Sequence, residues 1–172
     1  MRTNSRTLHV VAGLIAASIF LPAVARAQES GRREPVELEQ SADLLSQTSD
    51  GWSKAIGLLR EAASRRGPGE TQGVKDLVMA GLLSEYGGQH EQARQHFTDA
   101  GERALKMGDV QDAAQAFVYA AFVAKAQKDI PGATELVERA RLLSYSPLLP
   151  DAARDQITHW VGASIQVASR QR

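Results

Sequence analysis

Small and large apolar residues recur along the chain at helical spacing. Ala55, Leu59 and Ala62 form one triplet, Ala93, Phe97 and Ala100 a second, and Ala133, Val137 and Ala140 a third. Steps of four and three place each triplet on one helical face. The copies lie 38 and 40 residues apart, the period at which helix pairs stack into solenoids. Alternation of period two is missing and aromatics are few, so strands are not expected.

The stops between helices are sharper than the helices. Arg65-Arg66-Gly67-Pro68-Gly69 ends one helix, with two cations where the helix dipole favours them. Gly87-Gly88 ends the next. At Gly108-Asp109 a glycine closes one helix and an aspartate caps another, backed by Asp112 in its first turn. Asp129-Ile130-Pro131 restarts a helix, because proline in the first turn removes no needed donor. The segment 146–151, with Pro147 and Pro150, is a rigid break that ends on Asp151 as a further cap. Seven helices are therefore predicted, over 36–48, 51–65, 72–86, 89–106, 109–127, 130–144 and 151–168. Short turns make consecutive helices antiparallel.

These residues resemble the tetratricopeptide repeat family, in which a helix pair carries a small residue in its first helix and an Ala–aromatic–Ala series in its second. The second helices supply the three triplets. The first helices supply Ala42, Ala80 and Ala120, followed by Gly81 and Ala121. The resemblance spans about 36–144 and implies an all-α, right-handed solenoid of three antiparallel hairpins with a C-terminal capping helix. The step exceeds the family's 34 residues, and Glu39 stands where a large apolar residue is expected. Ala93, Ala113 and Ala133 also recur every 20 residues, so the pairing register stays open by one helix. Gly81 inside a helix costs about 1 kcal/mol against alanine, which predicts a close contact there.

The start of the chain belongs to another process. Arg2 and Arg6 precede an apolar stretch over 10–25, and Ala25-Arg26-Ala27 offers a small-residue cleavage site. That is the layout of a removable secretory signal, and the stretch is shorter than the roughly 20 residues a membrane span needs. Residues 1–27 are read as the signal, 28–34 as a flexible lead-in and 35–169 as the helical-repeat domain. The expected location is the periplasm or the exterior, without membrane insertion after signal removal. Loss of the signal takes three basic residues and no acid from a total of 20 each, leaving a net charge of −3. That balance argues against a nucleic-acid partner. There is no cysteine, so neither disulfides nor cysteine-linked lipid support the fold.

No constellation for catalysis stands out. His90, His96 and His159 share no i,i+4 spacing, no metal set is formed, and each reads as a surface residue. There is no nucleophile elbow and no phosphate loop with its lysine. The sequence reads as a non-enzyme without cofactor. Binding is the better expectation. The resemblance places first helices on the inner curve and implies a groove for a protein or peptide, lined by Leu44, by Lys75, Val78, Leu82, Glu85 and Tyr86, and by Val118, Tyr119, Phe122 and Lys125. Gln40, Gln47 and Thr48 would extend it. The apolar run 116–124 is also what a buried central helix shows, so Tyr119 and Phe122 fit either a groove or the core. Self-association through helix 109–127 or the last helix, giving a homodimer, is the alternative use of such faces. Trp52 reads as packing against a neighbouring helix.

Overall fold

The computed structural model describes residues 33–169, with side chains through Ala163. The segment 1–27, expected to be a secretory signal, and most of the expected lead-in lie outside the described residues. Among the described residues there are seven α-helices and no strand: α1 Pro35–Ser46, α2 Trp52–Arg65, α3 Thr71–Tyr86, α4 His90–Lys106, α5 Val110–Ala126, α6 Ile130–Ser144 and α7 Asp151–Ser169. All fall within two residues of the expected bounds. The largest departure is at the end of α1. It stops at Ser46, and the backbone then makes a 3-10 turn over Ser49–Gly51 that starts α2. Asp151 is the first residue of α7 and not its cap, since the Pro150 carbonyl already accepts from Arg154 N at 3.0 Å.

From α3 onward the fold repeats one helix at a time. Gly73, Ala93, Ala113, Ala133 and Ala153 hold the same place in five successive helices, 20 residues apart, and all are buried. One turn further along stand Leu77, Phe97, Phe117, Val137 and Ile157. Phe97 and Phe117 are among the largest fully buried side chains. The turns repeat as well. Gln89 N donates to Ser84 O, Asp109 N to Ala104 O and Asp129 N to Ala124 O, at 2.8–2.9 Å. In each case the preceding residue is left-handed: Gly88 (φ 71°), Gly108 (φ 77°) and Lys128 (φ 64°). These are helix ends closed by a six-to-one bond through an αL residue. Asp109 and Asp129 then cap α5 and α6 by accepting from Asp112 N and Gly132 N, at 3.1 and 3.0 Å.

The expected close contact at Gly81 is present. A Cβ there would lie 2.7 Å from the Phe97 ring. The next helix repeats it, because a Cβ on Gly101 would lie 2.6 Å from the Phe117 ring. A glycine on one helix thus admits a ring from the next, and the close packing offsets glycine's helix penalty.

Each helix packs on the one before and the one after; α5 is also reached by α3 and by α7. That makes α5 the centre of the larger core, with Ala113, Ala116, Phe117, Ala120 and Ala124 all buried. A smaller core joins α1, α2 and α3 through Ala42, Ile56, Leu59 and Leu83. Trp52 packs as expected, with its ring 6.3 Å from Tyr86 and its indole N–H donating to Ser46 O at 2.9 Å.

The link between α1 and α3 is polar. Arg66, just past α2, donates to Glu39 of α1 and to Glu70, and lies 3.3 Å from the buried Asp76 of α3. Glu39, unexpected as a charge in the sequence, is there to meet Arg66. Arg103 of α4 donates to the carbonyls of Ala63 and Gly67 at 2.8 and 2.6 Å and so ties down the end of α2.

Candidate functional site

The α3–α5 cleft

Helices α3 and α5 are two steps apart in sequence, and each offers one face to a shared cleft of about 320 Å³. Val74, Val78, Met79 and Ala116 supply an apolar floor, and Lys75, Asp112, Gln115 and Tyr119 supply its polar groups. Register explains the meeting. Gln115 stands 40 residues after Lys75 and Tyr119 40 after Met79, so equivalent positions of alternate helices face one another.

The polar groups are already partly committed to one another. Gln115 Nε2 donates to Tyr119 Oη at 2.7 Å. The phenol therefore accepts from inside the cleft and keeps its own proton to donate. The Tyr119 ring is fixed from behind by Phe97, with centroids 5.4 Å apart. The Asp112 carboxyl is held above the ordinary carboxylate range, chiefly by burial and then by the charge of Asp109, while Lys75 acts the other way. Lys75 and Asp112 feel each other across the cleft without forming an ion pair within 4 Å.

Where the predicted residues lie

Lys75, Val78 and Tyr119 come together in the cleft. Phe122, 42 % exposed, lies one turn past Tyr119 on α5. Tyr86 is exposed at the end of α3 against Trp52, and Glu85 is engaged by His90 Nδ1 at 2.8 Å. Leu82 and Lys125 are half-buried, with Leu82 packed on the core. Leu44 is exposed on α1 and lines no part of this cleft.

Two sequence readings are corrected. Val118 is buried in the core and, unlike Val74 and Ala116, does not line the cleft, so it offers nothing to a groove. Its counterpart Val78, 40 residues earlier, keeps some surface because α3 lacks the surround that α5 receives from α3, α4, α6 and α7. His96 is not a surface residue. It is 4 % exposed, and neither ring nitrogen has a hydrogen-bond partner among the described residues. Burial, and secondarily the charge of Arg60, holds the ring below the usual imidazole range and therefore neutral.

Val74, Met79, Asp112, Gln115 and Ala116 also line the cleft and are not among the residues the sequence predicts for it. The 40-residue step from Lys75 and Tyr119 points to Gln115 and Met79. Asp112 was absorbed by its position in a capping turn.

Among the described residues no three His, Asp or Glu side groups converge as metal ligands. No described helix is long and apolar enough to cross a membrane. Two further cavities lie elsewhere: about 500 Å³ where the turns around Gly69, Gly108 and Leu149 meet, and about 300 Å³ between the charged faces of α4 and α6. No protein-family model, curated protein or solved structure matches this sequence.

Proposed function

We propose that this protein is a non-catalytic scaffold of the cell envelope that holds a segment of a protein or peptide partner in a groove lined by α3 and α5. In this reading it is exported by the segment 1–27, and its helices stack as a right-handed, tetratricopeptide-like solenoid. The constant 20-residue register and the packing of each helix on its neighbours support the stack. The single observation that carries the groove is the cleft between α3 and α5, whose apolar lining includes the exposed Met79, with the exposed Phe122 one turn past Tyr119 on α5. Met79 is 47 % exposed and Phe122 42 %. A homodimer through α5 has less support, because that helix buries most of its apolar surface within its own fold.

Site-specific photocrosslinking in the native envelope tests the groove. A photoreactive residue at Met79 or Phe122 is expected to trap a discrete partner, whereas one at Glu135 on α6 is not. The Met79→Glu plus Phe122→Glu variant should lose that partner while keeping its helical circular dichroism. Equal trapping from Glu135, or a folded double variant that retains the partner, would move the binding surface elsewhere.

A further inference from the structure

His96 is buried on α4, with both ring nitrogens lacking a hydrogen-bond partner among the described residues. A neutral imidazole has one N–H to give and one lone pair to fill. Each left unmade inside a fold carries a desolvation cost. The same place is held by Ala116 in α5 and Leu136 in α6, both buried. The repeat therefore accepts an apolar residue here, and the ring adds two unpaired polar atoms to it.

The ring lies where α4 comes up to α2. Helix α4 packs along α3 and α5. It also reaches α2, where Arg103 donates to Ala63 O and the charge of Arg60 acts on His96. No acid among the described residues offsets that charge at the ring. Asp99, one turn further along α4, interacts with Arg60 and Glu102. On α3, Asp76 answers to Glu39 and Arg66, and Glu85 to His90; on α5, Asp112 answers to Asp109 and Lys75.

A proton on either ring nitrogen places a second cation near Arg60, in a dry site without a counter-charge. The ring must meet water to keep it. The contact that yields first is α2 against α4, because α3 and α5 cover α4 more fully. The two hydrophobic cores divide at the same place. Helices α1 and α2 share the smaller one with Ala80 and Leu83 of α3, whereas α4 belongs to the larger.

We propose that His96 is an acid-operated joint: a proton taken up by the ring parts α2 from α4 and loosens the α1–α2 pair from the rest of the stack. Burial, and then Arg60, holds the folded ring below the usual 6.5, so the opened form binds the proton first. Stability is intact above pH 6.5 and is lost as pH falls below it, until the folded ring itself titrates. Asp76 acts in the opposite sense below about pH 6. It is common to the parent and to a His96 variant, so their difference isolates the ring.

Hydrogen exchange of the full chain, read by mass spectrometry at about pH 7.5 and about pH 5.5, tests the joint. After correction for intrinsic rates, opening of α2 should rise several-fold at the lower pH, and at most about tenfold, while α6 stays unchanged. His96→Leu takes the residue found in α6 and should remove that response while keeping protection at the higher pH. His96→Ala, with the residue found in α5, carries the same expectation. Equal loss of protection in α2 and α6, or a parent-like response in the folded variants, overturns the joint. NMR of the unaltered protein needs no substitution. Its His96 ring should take up a proton only together with loss of α2 protection. A ring that titrates at 6.5 while α2 stays protected also overturns the proposal.

Discussion

Between α3 and α5 neighbouring helices meet through rings seated in glycine-sized gaps; between α1 and α3 they meet through charges. Phe97 against Gly81 and Phe117 against Gly101 are one contact made twice, 20 residues apart. The Glu39–Arg66–Asp76 group occurs once, at the place where the loops lose the common turn. Regular packing can be copied along a stack because each helix has the same two neighbours. The first helices lack a preceding pair, and their join is solved locally with hydrogen bonds and ion pairs. The difference predicts two kinds of sensitivity, to volume in the middle and to protonation at the start.

The largest expected effect tests the volume side. The Phe117 ring is fully buried, meets Gly101 at one edge, and has the Arg139 guanidinium 3.9 Å from its centroid. Phe117→Ala should lower stability by about 3–5 kcal/mol, through lost burial and the cavity left behind. Chemical denaturation measures this directly. A variant as stable as the parent would mean that the ring is not held as described, and the contrast between the two regions would fail at its stronger end.

The charged region should respond to pH instead. Burial, and then the charge of Glu39, pushes the Asp76 carboxyl up to about 6, above its ordinary 3.8. A carboxyl whose folded value is raised costs stability while ionised. That cost is fully present above pH 6 and disappears as pH falls from 6 towards 4. Asp76→Asn should therefore stabilise the protein by about 2–3 kcal/mol at pH 8, and the advantage should shrink to nothing near pH 4. Glu70 works in the opposite sense, held low chiefly by the Gly67 N–H and then by Arg66. It is common to parent and variant, so it cancels in the difference. Melting curves across pH check the point. A pH-independent gap, or a variant weaker at pH 8, would show that the ion pair with Arg66 outweighs the cost of burying the acid.

The two regions also differ in how far the sequence exposes them. Seven helices and most of their ends could be read from small–large–small triplets and from Gly, Pro and Asp punctuation. Those signals are local, and the structure keeps them. The predicted contact at Gly81 was legible because a glycine inside a helix needs a reason. Asp76 and His96 were not. They hold the same place in α3 and α4, yet a polar residue on an amphipathic face reads as solvated unless the packing of the next helix but one is known. For the cleft, the inner face implied by the tetratricopeptide resemblance included Lys75, Val78 and Tyr119 but also Val118. Sequence equivalence preserves the direction in which a residue points and not the number of helices that cover it.

The smallest expected effect uses the repeat against itself. Three successive turns place a left-handed residue at 88, 108 and 128, and only the last is not glycine. Lys128 has φ 64°, a conformation in which a Cβ crowds the following carbonyl at a cost of roughly 1–2 kcal/mol. Glycine avoids that crowding but loses more freedom on folding, by about 0.5–1 kcal/mol. Lys128→Gly should therefore stabilise the protein by up to about 1 kcal/mol, raising its midpoint by a few degrees. Gly108→Ala, its mirror in the preceding turn, should lower stability by a similar amount. Lys128→Ala should change little, because the Cβ remains. A loss of stability in Lys128→Gly would mean that the rest of the lysine makes up for its backbone, and that the third turn is not a simple copy of the first two. A gain matched by the loss in Gly108→Ala would establish the turns as interchangeable, which is the physical content of a repeat one helix long.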